Sequence, residues 1–323
     1  MHAVMRVRDF LITEQPSKPF PPIDADASIE EALAKMRDEG VARLRVMDNG
    51  TCLGITHRID LAVHVAVHRE RERLEAAQKK IDEDLRKLGA IAERDDMHKR
   101  SDDAEIQRQN DISYHRIGLR AIDHIKAAMR AVGKTELQRI LDLPCGHGRV
   151  LRYLKAAFPD AHLTACDIDR GGVDFCASEF GATPVYSAED PDQIEIEGEF
   201  DLIYSGSLLT HLDREQWTGF LDLFERLLAP EGILIFTTEA SFHASRDKTE
   251  PPNDLEDRET RVKEFQETGF AYRNYLGHED YGRTLSSPAW VCSFLERWPA
   301  LELVSLQVKG LHQDVYTCVK RST

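Results

Sequence analysis

The sequence predicts an α/β fold: a doubly wound, mostly parallel seven-stranded sheet with an antiparallel last strand, preceded by a small α+β unit and a helical linker. Three observations predict it. Apolar runs ending near residues 143, 167, 186, 205 and 237 alternate with helical patterns, as parallel strands joined by crossover helices do. The first of these runs, Ile140 to Leu143, passes directly into a glycine turn and then a helical pattern from Val150 to Phe158. The last two runs, Leu303 to Val308 and Val315 to Val319, are separated by too few residues around Lys309-Gly310 for a parallel crossover, so they must pair antiparallel.

Residues 1–61 form the first element group. Ser28-Ile-Glu-Glu31 is a capping box opening a short helix with Ile29, Leu33 and Met36 as its apolar residues, and Gly40 stops it. Two strands follow, Ala42 to Met47 and Thr51 to Thr56, joined by the hairpin signal Asp48-Asn-Gly50. With Val7-Arg-Asp9 ahead and Gly54-Ile-Thr-His-Arg-Ile-Asp60 behind, the unit resembles one CBS motif. Paired motifs of that family bind adenine nucleotides or S-adenosylmethionine in a shared cleft. Here there is one motif, and His57 stands where the family has Ser or Thr three residues before its ribose-binding Asp60, with Thr56 one place early. A structural or dimerising role is the other reading of this unit.

Residues 62–110 carry no strand pattern. Val67, Leu74, Ile81 and Leu88 recur every seven residues, flanked by Ala77, Leu85 and Ile91, which reads as a seam for helix pairing. A dimeric coiled coil and an intramolecular helical hairpin both satisfy it. His64 and His68 lie one turn apart without a carboxylate or cysteine at ligand spacing, so they read as a polar helix face and no metal site is expected. The charged stretch Glu93 to Gln109 reads as a hinge or linker. Residues 111–323 make the large domain. In it Ile112, Ile117, Ala121, Ile122, Ile125 and Met129 resume the helical period up to Gly133, a helix expected to pack over the ligand cleft.

The glycine turn is Asp142-Leu-Pro-Cys-Gly-His-Gly-Arg149. Gly146 and Gly148 lack Cβ atoms, so a ligand is expected to lie against bare backbone N–H groups at a helix N-terminus. A second acidic residue, Asp167, ends the next strand and is placed to accept hydrogen bonds from ribose hydroxyls. Leu151 replaces the third glycine of a dinucleotide fingerprint, and the Gly-Lys-Ser/Thr of a phosphate loop is absent. The segment resembles motif I of the class I S-adenosylmethionine-dependent methyltransferases, with Pro144 in place of the usual first glycine. The rest of that family's order follows in register: Asp167-Ile-Asp169, Thr183 to Glu189, Phe200 to Leu212 and Leu228 to Phe236. The resemblance implies S-adenosyl-L-methionine as cofactor, held by Asp142, Pro144, Cys145, Gly146, Gly148, Asp167, Ile168, Ser187, Ala188 and Ser205. It implies methyl transfer to an O or N nucleophile of a small polar acceptor, sugar-like or another small metabolite.

His211, just past the fourth strand, is the candidate base towards a hydroxyl; its other reading is a histidine that caps or packs the following helix. Acceptor contacts are expected from the long segment Thr238 to Ser287, at Tyr281, and from the terminal hairpin at His312 and Asp314, which also suit turn chemistry. A protein or tRNA methyltransferase and a non-catalytic adenosyl-binding module are the rival readings. Composition bounds the partners. Net charge is −15, which opposes a broad nucleic-acid footprint. No apolar run reaches the length of a membrane span, and the N-terminus lacks a signal-peptide pattern. Six cysteines without a C-x-x-C pair read as reduced thiols of a cytoplasmic protein. A homodimer through the N-terminal region is expected, because one small motif buries little by itself.

Overall fold

The computed structural model describes residues 20–58, 61–62, 91–240, 258–278, 281–308 and 313–321. The chain divides into two units, Met1–Arg86 and Lys87–Thr323. The heptad seam from Val67 to Leu88, His64 and His68, Asp60 and His312 lie outside the described residues.

In the first unit, helix α1 (Ile29–Asp38) opens on the expected box: the Ser28 hydroxyl accepts from the Glu31 N–H and the Glu31 carboxylate accepts from the Ser28 N–H. Strand β1 (Pro22–Asp24) runs parallel to β2 (Arg43–Asp48), which pairs antiparallel with β3 (Thr51–His57). Asn49 and Gly50 both have positive φ (48° and 82°), the turn that Asn-Gly suits. Among the described residues the unit's core is Ala25, Ile29, Ala32, Met36, Leu44, Val46 and Leu61.

The second unit opens with helix α2 (Ala104–Val132), capped by Asp103 and ended by Gly133 in the left-handed conformation. Strand β4 (Arg139–Asp142), helix α3 (Leu151–Ala157), strand β5 (His162–Asp167), helix α4 (Arg170–Phe180) and strand β6 (Thr183–Tyr186) follow. Next come β7 (Phe200–Ser205), α5 (Arg214–Leu227) and β8 (Leu228–Thr238). The remaining elements are α6 (Arg258–Thr268), β9 (Phe270–Asn274), β10 (Gly282–Ser286), α7 (Pro288–Leu295), β11 (Leu301–Gln307) and β12 (Asp314–Lys320). The seven-stranded sheet has the order β11-β12-β8-β7-β4-β5-β6. Strands β4 to β8 are mutually parallel, and β12 lies antiparallel between β8 and β11. Strand order therefore reverses at β4, the place where open α/β sheets leave a crevice at their carboxyl ends.

Two features differ from the sequence expectation. The stretch expected to be a hinge is packed. Its last residues are the first turns of α2, and within residues 91–103 Asp95 and His98 are buried. Its polar groups find partners inside the unit: Tyr114 donates to Asp95 at 2.5 Å, and His98 Nε2 lies 2.6 Å from Asp111. The long segment after β8 contains a separate antiparallel hairpin, β9–β10. Fully buried Trp217 of α5 ties this hairpin to the sheet. Its indole donates to the Leu209 carbonyl, and its ring meets Phe236, Phe270, Trp290 and Phe294 edge-on.

Candidate active site

Asp142 ends β4 fully buried, and its Oδ2 has no partner among the described residues. Burial, then the charge of Asp167, pushes its carboxyl well above the usual range. Asp167 ends β5. One of its oxygens accepts the Gly146 N–H at 2.7 Å and the other accepts the Asp169 N–H at 2.9 Å. A carboxylate offers about four lone-pair sites, so acceptor capacity remains on both oxygens.

The glycine turn corrects the expectation of bare N–H groups. The Gly146 N–H is given to Asp167 and the Gly148 N–H to the Cys145 carbonyl at 2.9 Å. What the glycines supply is conformation and room. Both have positive φ, 49° and 73°. A Cβ on Gly146 would sit 2.8 Å from the Met97 sulfur, and one on Gly148 would sit 2.4 Å from the Phe180 ring. Cys145 is buried against Cys176, and that contact together with burial pushes its thiol up, so it stays a neutral packing group.

Two cavities open on either side of Pro144. The first, about 280 Å³, runs from Asp142, Cys145 and Arg149 to the strand ends at Ser207, Thr237, Glu239 and Gln313. Met97 and Ile117 also line it, so the stretch at 91–103 and helix α2 both supply wall, as expected for α2. The Arg149 Nε is buried without a partner. At the far end, the Gln313 amide oxygen accepts from the Thr237 hydroxyl at 2.6 Å and from the Ser207 hydroxyl at 3.1 Å. Arg283 donates to Glu239 at 2.9 Å. The second cavity, about 510 Å³, is lined by Asp167, Ile168, Ser187, Ala188 and Glu189 on one side. Leu208, Leu212, Phe220, His278 and Tyr281 complete it.

The structure thus brings Asp142, Pro144, Cys145, Asp167, Ile168, Ser187 and Ala188 onto two adjoining cavities, with Gly146 and Gly148 forming the turn beside them. Ser205 lies fully buried and lines neither; its neighbours Tyr204, Gly206 and Ser207 line the first. Asp314 is buried at the start of β12 and also lines neither, whereas adjacent Gln313 does. Tyr281 lies in the cavity of Asp167, not in the cavity at the strand ends. His211 lines neither cavity. Its Nδ1–H donates to the Gly282 carbonyl at 2.9 Å, and burial lowers its pKa against that bond. Arg149, Glu239, Gln313 and Met97 went unread as site residues. Arg149 stands in the motif itself, and the period-two facing of β8 and β12 was the signal for Glu239 and Gln313.

Residues 140–232 match the family model described as a methyltransferase domain, and residues 7–66 match that of a CBS domain. The stretch 140–232 is similar to a methyltransferase domain. The methyltransferase-domain match runs from β4 into β8 and so contains the glycine turn and Asp167. Similar proteins include a malonyl-[acyl-carrier protein] O-methyltransferase of Bacillus cereus, 32% identical over 101 residues, 31% of this chain and 37% of that protein. A phthiotriol/phenolphthiotriol dimycocerosates methyltransferase 1 of Mycobacterium ulcerans is 29% identical over 122 residues, 36% of this chain and 43% of that protein. The chain therefore spans well under half the length of these curated relatives. Among solved structures, Streptomyces venezuelae DesVI aligns with TM-score 0.46 and 13% identity over 69% of this chain and 100% of its own. An S-adenosylmethionine-dependent methyltransferase of Clostridium acetobutylicum aligns with TM-score 0.45 and 15% identity, over 67% and 95%. No helix among the described residues is long and apolar enough to cross a membrane.

Proposed function

We propose that this protein transfers a methyl group from S-adenosyl-L-methionine to an O or N nucleophile of a small polar acceptor. The observation that carries the reading is the pair of cavities meeting at Pro144, one holding Asp167 and the other holding Asp142 and Arg149. Their chemistry matches the two ends of the cofactor. Asp167, with Ile168, Ser187 and Ala188, suits an adenosine with its ribose diol. The Arg149 guanidinium, with an unpartnered N–H, suits an α-carboxylate. Burial and the charge of Asp167 disfavour a second negative charge on Asp142 beside that carboxylate.

When bound, the cofactor supplies an electrophilic methyl carbon on a sulfonium, and its displacement leaves a neutral thioether. No oxyanion develops, so the protein's task is alignment, and alignment of two reactants contributes ~7–11 kcal/mol in favourable cases. The chain is equipped for this. The Gln313–Thr237–Ser207 network and the Glu239–Arg283 pair set fixed polar groups at the strand-end side of the first cavity, next to Tyr204 and Gly206. Such a lining suits an acceptor with hydroxyl or amino groups, in keeping with a sugar-like or other small metabolite. The relatives, O-methyltransferases among them, support the reaction class and leave the acceptor open.

The proposal includes a cytoplasmic homodimer joined through the N-terminal region. Incubating the protein with methyl-labelled S-adenosylmethionine and fractionated metabolite extracts tests the activity. Label is expected in a small acceptor. Tight binding of S-adenosylhomocysteine with no transfer into any fraction would favour a non-catalytic adenosyl-binding module.

A further inference from the structure

The cavity beside Asp167 has unlike linings. Ile168, Leu208, Leu212 and Phe220 are apolar members, and an aromatic stack at the β9–β10 hairpin contributes Tyr281 and His278. Tyr281 is one lining member of that stack. Its ring lies over the His211 imidazole with centroids 5.0 Å apart and planes at 25°. Tyr275 packs tilted against both, at 6.0 Å from His211 and 5.3 Å from Tyr281, and His278 meets Tyr281 edge-on at 6.0 Å. The imidazole is fixed from behind. A carbonyl only accepts, so the 2.9 Å contact to Gly282 puts the proton on Nδ1 and sets the ring plane. The Thr284 hydroxyl donates to the Leu212 carbonyl and sews the same turn to β10. A cavity lined by an aromatic ring, aliphatic side chains and a carboxylate suits a planar heteroaromatic group that carries a diol.

We infer that Tyr281 is a cofactor-site residue whose ring packs on the adenosine, and that His211 is the positioning residue that holds it there, not a base on the acceptor. The inference rests on the proposed cofactor. It gives the β9–β10 hairpin a part in binding the cofactor, where the sequence suggested acceptor selection alone. Burial and the charge of Asp167 push the Tyr281 phenol up, so it remains a neutral hydroxyl beside that carboxylate.

Calorimetry on the full chain with S-adenosylhomocysteine and with 5′-methylthioadenosine, which lacks the amino-acid part, tests it. Tyr281→Ala is expected to weaken both ligands about tenfold, the scale of losing one ring from a stacked base, and Tyr281→Phe to stay within about twofold. His211→Ala should resemble Tyr281→Ala for both ligands. His211→Asn, whose amide N–H still reaches the Gly282 carbonyl, should recover most of the loss. Thermal melting of each variant separates a binding loss from unfolding. A Tyr281→Ala protein that binds both ligands like the wild type, or loses only S-adenosylhomocysteine, overturns the inference while the cofactor reading stands. A wild-type chain that binds neither ligand overturns the cofactor reading, and the inference with it.

Discussion

Asp142 is the residue where burial and function conflict most openly. Its carboxyl is fully buried, one oxygen is unpartnered, and Asp167 opposes its ionisation. A carboxyl whose folded pKa lies above its unfolded value binds the proton more tightly when folded. Stability is then greatest below the unfolded value and falls as pH rises towards the folded one. Asp142→Asn cannot titrate, so its melting temperature relative to wild type should be near parity at pH 4 and pull ahead by a few degrees as pH rises to 8. A constant offset across that range would show that Asp142 folds in already ionised. At this scale the site was legible wherever a residue type is demanded by the chemistry: the acidic strand ends and the positive-φ glycines. Ser205 was misplaced because a one-residue step along a strand reverses its facing, and the cavity takes its neighbours Tyr204 and Gly206 instead.

The elements show where polar composition misleads. Residues 91–103 read as a linker because a charged run normally faces water. Here Asp95 is paired with Tyr114 and His98 with Asp111, and Arg94 donates to Ser178 of α4 at 2.9 Å. A partnered polar group can be buried, and sequence spacing does not display a partner 19 residues away. Asp95→Ala would leave the buried Tyr114 O–H without its acceptor, a loss of ~1–3 kcal/mol readable by urea denaturation. Because Met97 follows two residues later and lines the first cavity, the same variant should also weaken S-adenosylhomocysteine binding. Unchanged affinity would return this stretch to a purely structural role. The β9–β10 hairpin was missed for a related reason. Phe270-Ala-Tyr-Arg-Asn274 alternates weakly, and its inward residues pack on Trp217 of another element, a contact that only the tertiary fold creates. The parallel strands were legible because both faces are covered, leaving continuous apolar runs such as 233–236 in β8.

At the scale of the molecule, a CBS-like unit, whose core among the described residues has seven members, precedes a second compact unit that begins at Lys87. A truncated chain should therefore begin at Lys87, since starting at Asp111 removes Asp95, Met97 and the cap of α2. Light scattering should find the full chain dimeric and the Lys87–Thr323 chain monomeric. A monomeric full chain, or a dimeric truncation, would remove the N-terminal region as the dimerising part. The central claim is that the crevice where strand order reverses holds S-adenosylmethionine. Calorimetric titration of the full chain with S-adenosylhomocysteine and with NAD⁺ tests it most directly, with Asp167→Ala as the site-specific control. The account predicts one S-adenosylhomocysteine site per chain, no NAD⁺ binding, and a loss of ~1.5–3 kcal/mol in a folded Asp167→Ala protein, as for hydrogen bonds to a charged group. No binding by the wild type, or equal affinity in Asp167→Ala, would contradict it.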